Sequence, residues 1–245
     1  MKDFTIQIAG YTVAVRAMYE STRAFCRDYL WEGEADFAVA ITGADIAFER
    51  AEYARLGLEA ANASEAWLEE TALLRKVSEK LLDSDTLLFH GSAIAVDGAV
   101  YLFTAPSGTG KSTHTRLWRQ LLGERAVMVN DDKPFLRITE KGVLACGSPW
   151  NGKHRLDTNI SVPLKAICVL ERSDENHIRR IPARETLPEL FQQSGRPRDP
   201  RQMGQYMALL DKLAKNVAFY RMGCDMAPEA ARMAYEAMAG DAPNQ

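Results

Sequence analysis

The chain has 245 residues, of which 47% are hydrophobic and 26% charged, a balance that is typical of a folded globular protein. A net charge of −3 argues against a nucleic-acid-binding protein. The four cysteines are far apart, and no Cys-x-x-Cys or Cys/His cluster predicts a zinc site. The sequence has no secretory signal pattern and no run of 18 apolar residues, so we expect no membrane partner and a cytoplasmic location.

The first third of the chain, residues 1–84, is expected to form a small α+β lobe. Residues 4–15 alternate between apolar and polar around an Ala-Gly turn and predict a hairpin. Short apolar runs predict two more strands at residues 37–41 and 45–49, separated by a Thr-Gly-Ala turn. An apolar stripe at helical spacing predicts a mostly helical segment over residues 58–82. The lobe has no catalytic motif, so its role stays open.

The second part, residues 85–245, has a glycine-rich loop at residues 105–112. The loop matches the phosphate-binding pattern G-x-x-x-x-G-K-[ST], except that alanine replaces the first glycine. A β-prone run precedes it, and apolar residues at helical spacing over residues 112–122 follow it, in the order that the motif requires. The glycines allow successive N–H groups to face a phosphate, Lys111 adds a charge for the outer phosphates, and Ser112 is placed to bind Mg²⁺. The predicted nucleotide-binding residues are Pro106, Ser107, Gly108, Thr109, Gly110, Lys111, Ser112 and Thr113.

Two features flank this loop. Residues 92–96 and 99–104 predict an antiparallel hairpin closed by an Asp-Gly turn, directly after His90. Residues 126–129 predict a buried strand that leads into Asp131 and Asp132. An acidic residue at the end of such a strand is typical of the Mg²⁺ ligand in this class of nucleotide site. Of two adjacent aspartates, one can hold the metal while the other accepts a proton from an attacking hydroxyl.

The remainder of the chain predicts further strands and helices around a loop at residues 179–201, which contains six arginines. His114, in the first turn after the glycine-rich loop, is expected to have no chemical role. The predicted elements are a hairpin (134–138 and 142–146), a strand (166–171), a helix (202–216), a strand (217–221) and a helix (228–238).

His90-Gly91, the hairpin, the Ser-Gly-Thr-Gly-Lys-Ser loop and the strand ending in Asp-Asp together resemble the catalytic core of the HPr kinase/phosphorylase family. That core is related to the ATP-dependent phosphoenolpyruvate carboxykinases. The resemblance covers residues 85–172 well and does not reach the first 80 residues. It implies an α/β P-loop kinase core with a mixed sheet, beside the small N-terminal α+β lobe. It also implies that His90, Lys111 and Asp131 are catalytic; Asp131 is then the base, while Asp132 joins Ser112 as a metal ligand.

One segment departs from the family pattern. HPr kinases have a Glu-Ile-Arg-Gly-Leu-Gly run after the core, whose glutamate helps to bind metal, whereas residues 147–155 here read Gly-Ser-Pro-Trp-Asn-Gly-Lys-His-Arg. The departure argues against HPr as the substrate and against a reverse phosphorylase activity. Lys153, His154 and Arg155 are expected to recognise an anionic group of the acceptor, and a solvated turn is the alternative interpretation.

The resulting hypothesis is an ATP- and Mg²⁺-dependent kinase that transfers the γ-phosphoryl group to a hydroxyl of a protein, a peptide or a small alcohol. A carboxykinase-like enzyme is one alternative, but the carboxykinases of this type are longer chains. A non-enzymatic nucleotide-binding sensor is another, although binding alone needs only one acidic metal partner. Neither a nucleic-acid nor a membrane partner is expected, and a homo-oligomer stays open.

Overall fold

The computed structural model describes residues 2–240, and the chain divides into two compact units, Met1–Leu81 and Leu82–Gln245. The domain limits expected from the sequence, 1–84 and 85–245, stay a prediction, and their ends at residues 1 and 241–245 lie outside the described residues. Within residues 2–240, no helix is long and apolar enough to cross a membrane.

The first unit contains a three-stranded sheet in the order β1-β2-β3 and three α-helices. The first two strands form the expected antiparallel hairpin, with Ala9 and Gly10 at positive φ (52° and 79°) in its turn. The third strand pairs with the second in parallel. The elements are β1 (Lys2–Ile8), β2 (Tyr11–Ala17), α1 (Glu20–Phe25), β3 (Phe37–Ala40), α2 (Gly43–Arg55) and α3 (Glu65–Leu82).

The strand predicted at residues 45–49 is wrong, because this segment lies inside helix α2. Thr42, which the sequence predicts in a turn, caps this helix instead. The backbone N–H of Thr42 donates to Asp45 Oδ2 at 2.9 Å, and the reciprocal bond of a capping box is also present. Such a box satisfies donors at the helix start that have no partner within the helix. The capping residues therefore favour a helix here, although the short apolar run taken alone predicts a strand.

The second unit is a mixed α/β fold with a curled mixed sheet. Its nine strands include the path β4-β8-β9-β10-β6-β5-β7, and β12 pairs with both β10 and β11. The strands are β4 (Thr86–Leu88), β5 (Ser92–Val96), β6 (Ala99–Thr104), β7 (Ala126–Asn130), β8 (Phe135–Thr139), β9 (Gly142–Cys146), β10 (Ser161–Arg172), β11 (His177–Ile181) and β12 (Ala218–Cys224). The helices are α4 (Lys111–Leu122), α5 (Leu187–Gln193), α6 (Met203–Asn216) and α7 (Pro228–Gly240).

Strand β10 produces the curl because its two ends belong to different neighbours. Its first residues pair antiparallel with β9, and its later residues pair in parallel with β6 and β12. Buried side chains of α5 and α6 pack on one face of the sheet, and those of α4 and α7 pack on the other. Apolar burial on both faces accounts for the continuous hydrophobic runs of β5, β6 and β10.

Three strands end at one edge of this sheet. Strands β6 and β10 are parallel, and β5 is antiparallel to both β6 and β7, so β7 runs in the direction of β6. Thr104, Asn130 and Arg172 are therefore carboxyl-terminal residues at the same edge. In open α/β sheets, ligands bind outside the carboxyl ends of the strands.

The hairpins, strands and helices predicted around the glycine-rich loop are confirmed within three residues, except that β10 begins five residues before its predicted start, and the loop predicted at residues 179–201 is wrong. That segment begins with the end of β11 and contains α5. Strand β11 pairs antiparallel with β12 from His177 to Ile181, so long-range pairing overrides its polar composition. Helix α5 has Pro188 in its first turn, where a missing N–H costs nothing.

Candidate functional site

The glycine-rich loop joins β6 to α4 at the carboxyl edge of the sheet. Gly108 and Gly110 have φ angles of 78° and 121°, which favour glycine, and α4 begins at Lys111. Thr109 Oγ1 donates to the carbonyl of Pro106 at 2.9 Å and closes the loop on itself. Ser107 is exposed, whereas Ser112 and Thr113 are half-buried in the first turn of the helix. The loop therefore leads directly into the N-terminus of a twelve-residue helix. Backbone N–H groups at a helix N-terminus can bind an anion such as phosphate.

Lys111 is folded back onto this loop. Its Nζ donates to the carbonyl of Ala105 at 2.9 Å and approaches that of Pro106 at 3.4 Å. Burial lowers the pKa of its ammonium group, and the negative charges of Asp132 and Asp131 oppose that shift. A second cation braces the loop, because Arg172 Nη2 donates to the Gly108 carbonyl at 2.6 Å. Sequence reasoning missed Arg172. Its position at the end of β10, a strand parallel to β6, is the feature that could have indicated its place beside the loop.

Asn130 shapes the turn that carries the two aspartates. Its side chain is fully buried, and Oδ1 accepts the backbone N–H groups of Asp132 at 2.8 Å and Lys133 at 2.6 Å. Its Nδ2 donates to the carbonyl of Ser148 at 2.8 Å. Because every polar atom of this amide has a partner inside the protein, the turn after β7 has one defined course.

Asp131 lies next to the start of helix α4. Its carboxylate, in a residue only 4% exposed, accepts a hydrogen bond from Ser92 Oγ at 2.6 Å and another from the Ser112 side chain. Burial raises the pKa of Asp131, although both hydroxyl hydrogen bonds act in the opposite direction. Ser92 Oγ also lies 2.9 Å from Thr115 Oγ1. Sequence reasoning missed Ser92, although the hairpin register, which pairs it with Phe103, places it at this edge.

Asp132 faces the other side of the turn, toward His90. Its Oδ1 lies 3.2 Å from His90 Nε2 and 3.4 Å from Lys133 Nζ. Burial would raise the pKa of Asp132, but the His90 hydrogen bond and the Lys133 charge outweigh it, so the pKa is lowered. Thr104 Oγ1 donates to the His90 carbonyl at 2.9 Å, which ties the histidine to the end of β6. His90 therefore lies beside the end of β6, close to the point where the glycine-rich loop begins.

The segment at residues 147–155 packs against the aspartate turn. The Lys133 backbone N–H donates to the Trp150 carbonyl at 3.1 Å. A Cβ added at Gly152, which has a φ of 70°, would lie only 3.1 Å from the Asp132 Cβ, so glycine permits this approach. Beyond it, Lys153, His154 and Arg155 are exposed, and the charge of His154 acts on Asp131. These three side chains therefore lie on the side of the segment that solutes can reach.

His114 is buried beneath the glycine-rich loop. Its Nε2 accepts a hydrogen bond from Trp118 Nε1–H at 3.2 Å, so the neutral ring carries its proton on Nδ1. Within residues 2–240, Nδ1 has no hydrogen-bond partner. The ring packs on Phe103 with a centroid distance of 4.6 Å. Burial lowers the pKa of His114 to about 4, which keeps the ring neutral in the folded protein.

His114 should make the folded state less stable in acid. The unfolded chain binds a proton near its ordinary pKa of 6.5, whereas the folded chain does so only near about 4. Stability should therefore fall as the pH drops through this window, by at most about 3 kcal/mol. Urea unfolding at several pH values would be compared with that of His114→Gln, which cannot gain this charge. Parallel pH dependences in the two proteins would contradict the prediction.

The turn after β7 and the start of α4 together supply the oxygen donors expected for a metal. Among the described residues, no group of three or more His, Cys, Asp and Glu side chains forms a metal cluster. Two carboxylates and one serine hydroxyl at Asp131, Asp132 and Ser112 nevertheless suit Mg²⁺, which keeps several waters and is bound through one or two carboxylates together with substrate phosphates. The structure places Ser112 against Asp131, whereas the sequence assignment paired it with Asp132.

The second unit is a mixed α/β fold, and the candidate-site residues described above lie at the carboxyl ends of its parallel strands. The family model of the SynChlorMet cassette protein ScmC matches residues 58–229, which is more than half of the chain. The chain therefore belongs to the ScmC family.

No curated protein matches the chain. Among solved structures, the chain is similar to the HPr(Ser) kinase/phosphatase from Coxiella burnetii. The sequence identity is 10%, the match covers 62% of this chain and 97% of the other, and the TM-score is 0.38. The likeness is distant, so a function has to rest on the chemistry of the residues described above.

Proposed function

We propose that this protein is an ATP-dependent phosphotransferase that moves the γ-phosphoryl group of ATP to a hydroxyl acceptor. The observation that carries the proposal is the position of the glycine-rich loop. It leaves β6 at the edge where His90, Asp131 and Asp132 also lie, and it starts α4 with a lysine. Phosphate-binding backbone, cation and paired carboxylates are the parts that phosphoryl transfer needs.

In this proposal different residues bind the phosphates, hold the metal and accept the proton of the acceptor hydroxyl. The loop N–H groups and Lys111 hold the phosphates, and Ser112 and Asp132 hold Mg²⁺, which would neutralise phosphate charge when bound. Asp131 takes the proton of the acceptor hydroxyl while the new O–P bond forms and the bond to the leaving ADP breaks. The raised pKa of Asp131 suits a proton acceptor, and the lowered pKa of Asp132 keeps that carboxylate anionic for a metal. His90 stabilises charge on the transferring group.

The contact between Asp131 and Ser112 supports a competing assignment. In it, Asp131 holds the metal with Ser112, and Asp132 acts on the acceptor beside His90. The two assignments use the same residues and predict opposite phenotypes for the two aspartate variants, which therefore decide between them.

The proposal is tested by labelling. The protein, Mg²⁺ and ATP labelled at the γ-phosphorus would be incubated with an extract, and labelled products would be identified by mass spectrometry. We expect label on a hydroxyl of a protein, peptide or small alcohol, and none with Lys111→Ala. Binding of Mg-ATP without any labelled product would favour a nucleotide sensor, and turnover with oxaloacetate would favour a carboxykinase-like enzyme.

The exposed cations beyond Gly152 give a prediction about the acceptor. Replacing Lys153 and Arg155 with glutamine should raise the KM for an anionic acceptor and leave the KM for ATP nearly unchanged, because binding to the acceptor is lost in ground and transition states alike. Steady-state kinetics and thermal unfolding would be measured on the same sample.

Lys141→Gln is the matched control, since this exposed cation follows β8 at the end away from the aspartates. A change confined to the affinity for ATP would contradict acceptor recognition and place the segment over the nucleotide. A loss of thermal stability with unchanged kinetics would assign these residues to the fold.

A further inference from the structure

Lys133, the residue directly after the two aspartates, has a backbone that is held at both of its polar atoms. Its N–H donates to Asn130 Oδ1 at 2.6 Å and to the Trp150 carbonyl at 3.1 Å. Its carbonyl accepts a hydrogen bond from the buried hydroxyl of Ser148 at 2.6 Å. Pro134 follows, and a residue before proline is restricted to extended backbone conformations. These contacts fix the direction in which the Lys133 side chain leaves the turn.

The ammonium group of Lys133 lies at the candidate site. Its Nζ is 3.4 Å from Asp132 Oδ1, the oxygen that also lies 3.2 Å from His90 Nε2. The side chain is 28% exposed, so water screens its charge only in part. Burial lowers the pKa of the Lys111 ammonium group, and the charge of Lys133 acts in the same direction. The two lysines therefore lie close enough to repel each other.

Two ammonium groups at one edge of the sheet favour an anion between them. The distance of 3.4 Å between Lys133 Nζ and Asp132 Oδ1 exceeds the about 2.7–2.9 Å of a charge-assisted hydrogen bond. Lys111 donates to loop carbonyls, which are neutral acceptors. An ammonium group has three N–H donors, so both lysines can bind a further oxygen. A phosphate oxygen near both charges would replace their repulsion with two attractions.

We propose that Lys133 is a second phosphate-binding cation, which contacts the γ-phosphate of ATP from the side of the aspartate turn. Lys111 contacts the same phosphate from the glycine-rich loop, whose N–H groups reach the inner phosphates. Positive charge on the aspartate side stabilises the negative charge of the phosphoryl group where it meets the acceptor. The inference rests on the function proposed above, and it holds under either assignment of the two aspartates.

Calorimetric titration with Mg-ATP and with Mg-ADP tests this contact, because only ATP has the γ-phosphate. Lys133→Met removes the charge and keeps the length of the side chain. We expect its affinity for Mg-ATP to fall about 10- to 100-fold, the usual range for a hydrogen bond to a charged group, while its affinity for Mg-ADP stays nearly unchanged. Lys133→Arg keeps the charge and should lose less. Lys141→Met, the same change at an exposed lysine in the turn between β8 and β9, is the matched control and should bind both nucleotides as the wild type does.

Equal losses of affinity for the two nucleotides, or no loss for either, would overturn the contact with the γ-phosphate, because a role confined to the shape of the turn does not distinguish ATP from ADP. Either result leaves the proposed function standing, since the wild type still binds ATP. A wild-type protein that binds neither nucleotide would overturn the proposed function and this assignment together. Thermal unfolding would show that each variant is folded, and Lys133→Gln would replace the methionine variant if that one does not fold.

Discussion

Replacing Lys111 with alanine is expected to abolish turnover and to weaken the binding of Mg-ATP. Lys111 is only 8% exposed, and its ammonium group donates hydrogen bonds to carbonyls of its own loop. A buried cation attracts an anion more strongly than an exposed one, because less water screens the charge. Arginine at this position should also fail, since its planar group replaces a compact point charge. Calorimetric binding of Mg-ATP and initial rates would be measured for each variant.

Arg119→Ala is the matched control for this prediction, because Arg119 is an exposed cation on the same helix, two turns away from the loop. Its binding and turnover should equal those of the wild type. Normal turnover in Lys111→Ala would remove the glycine-rich loop from the mechanism.

The second large effect is expected at Asp131. Asparagine there preserves size and can still accept the Ser92 hydrogen bond, but it cannot take up a proton as a carboxylate does. Binding of Mg-ATP should therefore stay almost intact, while the transfer rate falls by roughly 10²–10⁴, the usual contribution of acid–base catalysis. The rate would be measured at saturating ATP, Mg²⁺ and acceptor.

Asp132→Asn is the companion variant, and it should raise the Mg²⁺ concentration needed for half-maximal rate. If the two phenotypes are exchanged, Asp131 is the metal ligand that its contact with Ser112 suggests. If both variants show the same metal defect and neither has a separate rate defect, the division of work between the two aspartates is wrong.

Local signals explain what the sequence could predict. The Asp97-Gly98 turn has both residues at positive φ, 49° and 80°, as a two-residue hairpin turn requires. The helix after the glycine-rich loop starts at Lys111, one residue before the predicted start. Such features depend on neighbouring residues, whose spacing can be read along the chain.

Contacts between distant segments explain what the sequence could not predict. Gln193 reaches His90 across 103 residues of chain, and nothing in its own neighbourhood marks it. The position of Ser92 could have been predicted, because the hairpin register pairs it with Phe103 at the end of β6. Its role could not, because serine at the start of a strand has many ordinary roles. Helix α2 was missed for a different reason, since Thr42 and Asp45 form a recognisable capping pair that a turn interpretation concealed.

The short run from Phe89 to Gly91 joins two remote parts of the chain, the aspartate turn and the end of α5. Its successive N–H groups donate to the carbonyls of Pro134, Gln193 and Asp132. Each bond closes a long loop, and such closures lose chain entropy before they return any contact energy. A nascent chain that ends before Gln193 could hold the glycine-rich loop and both aspartates and still have an unanchored His90. The backbone anchor of His90 is therefore complete only after the segment through α5 has been synthesised.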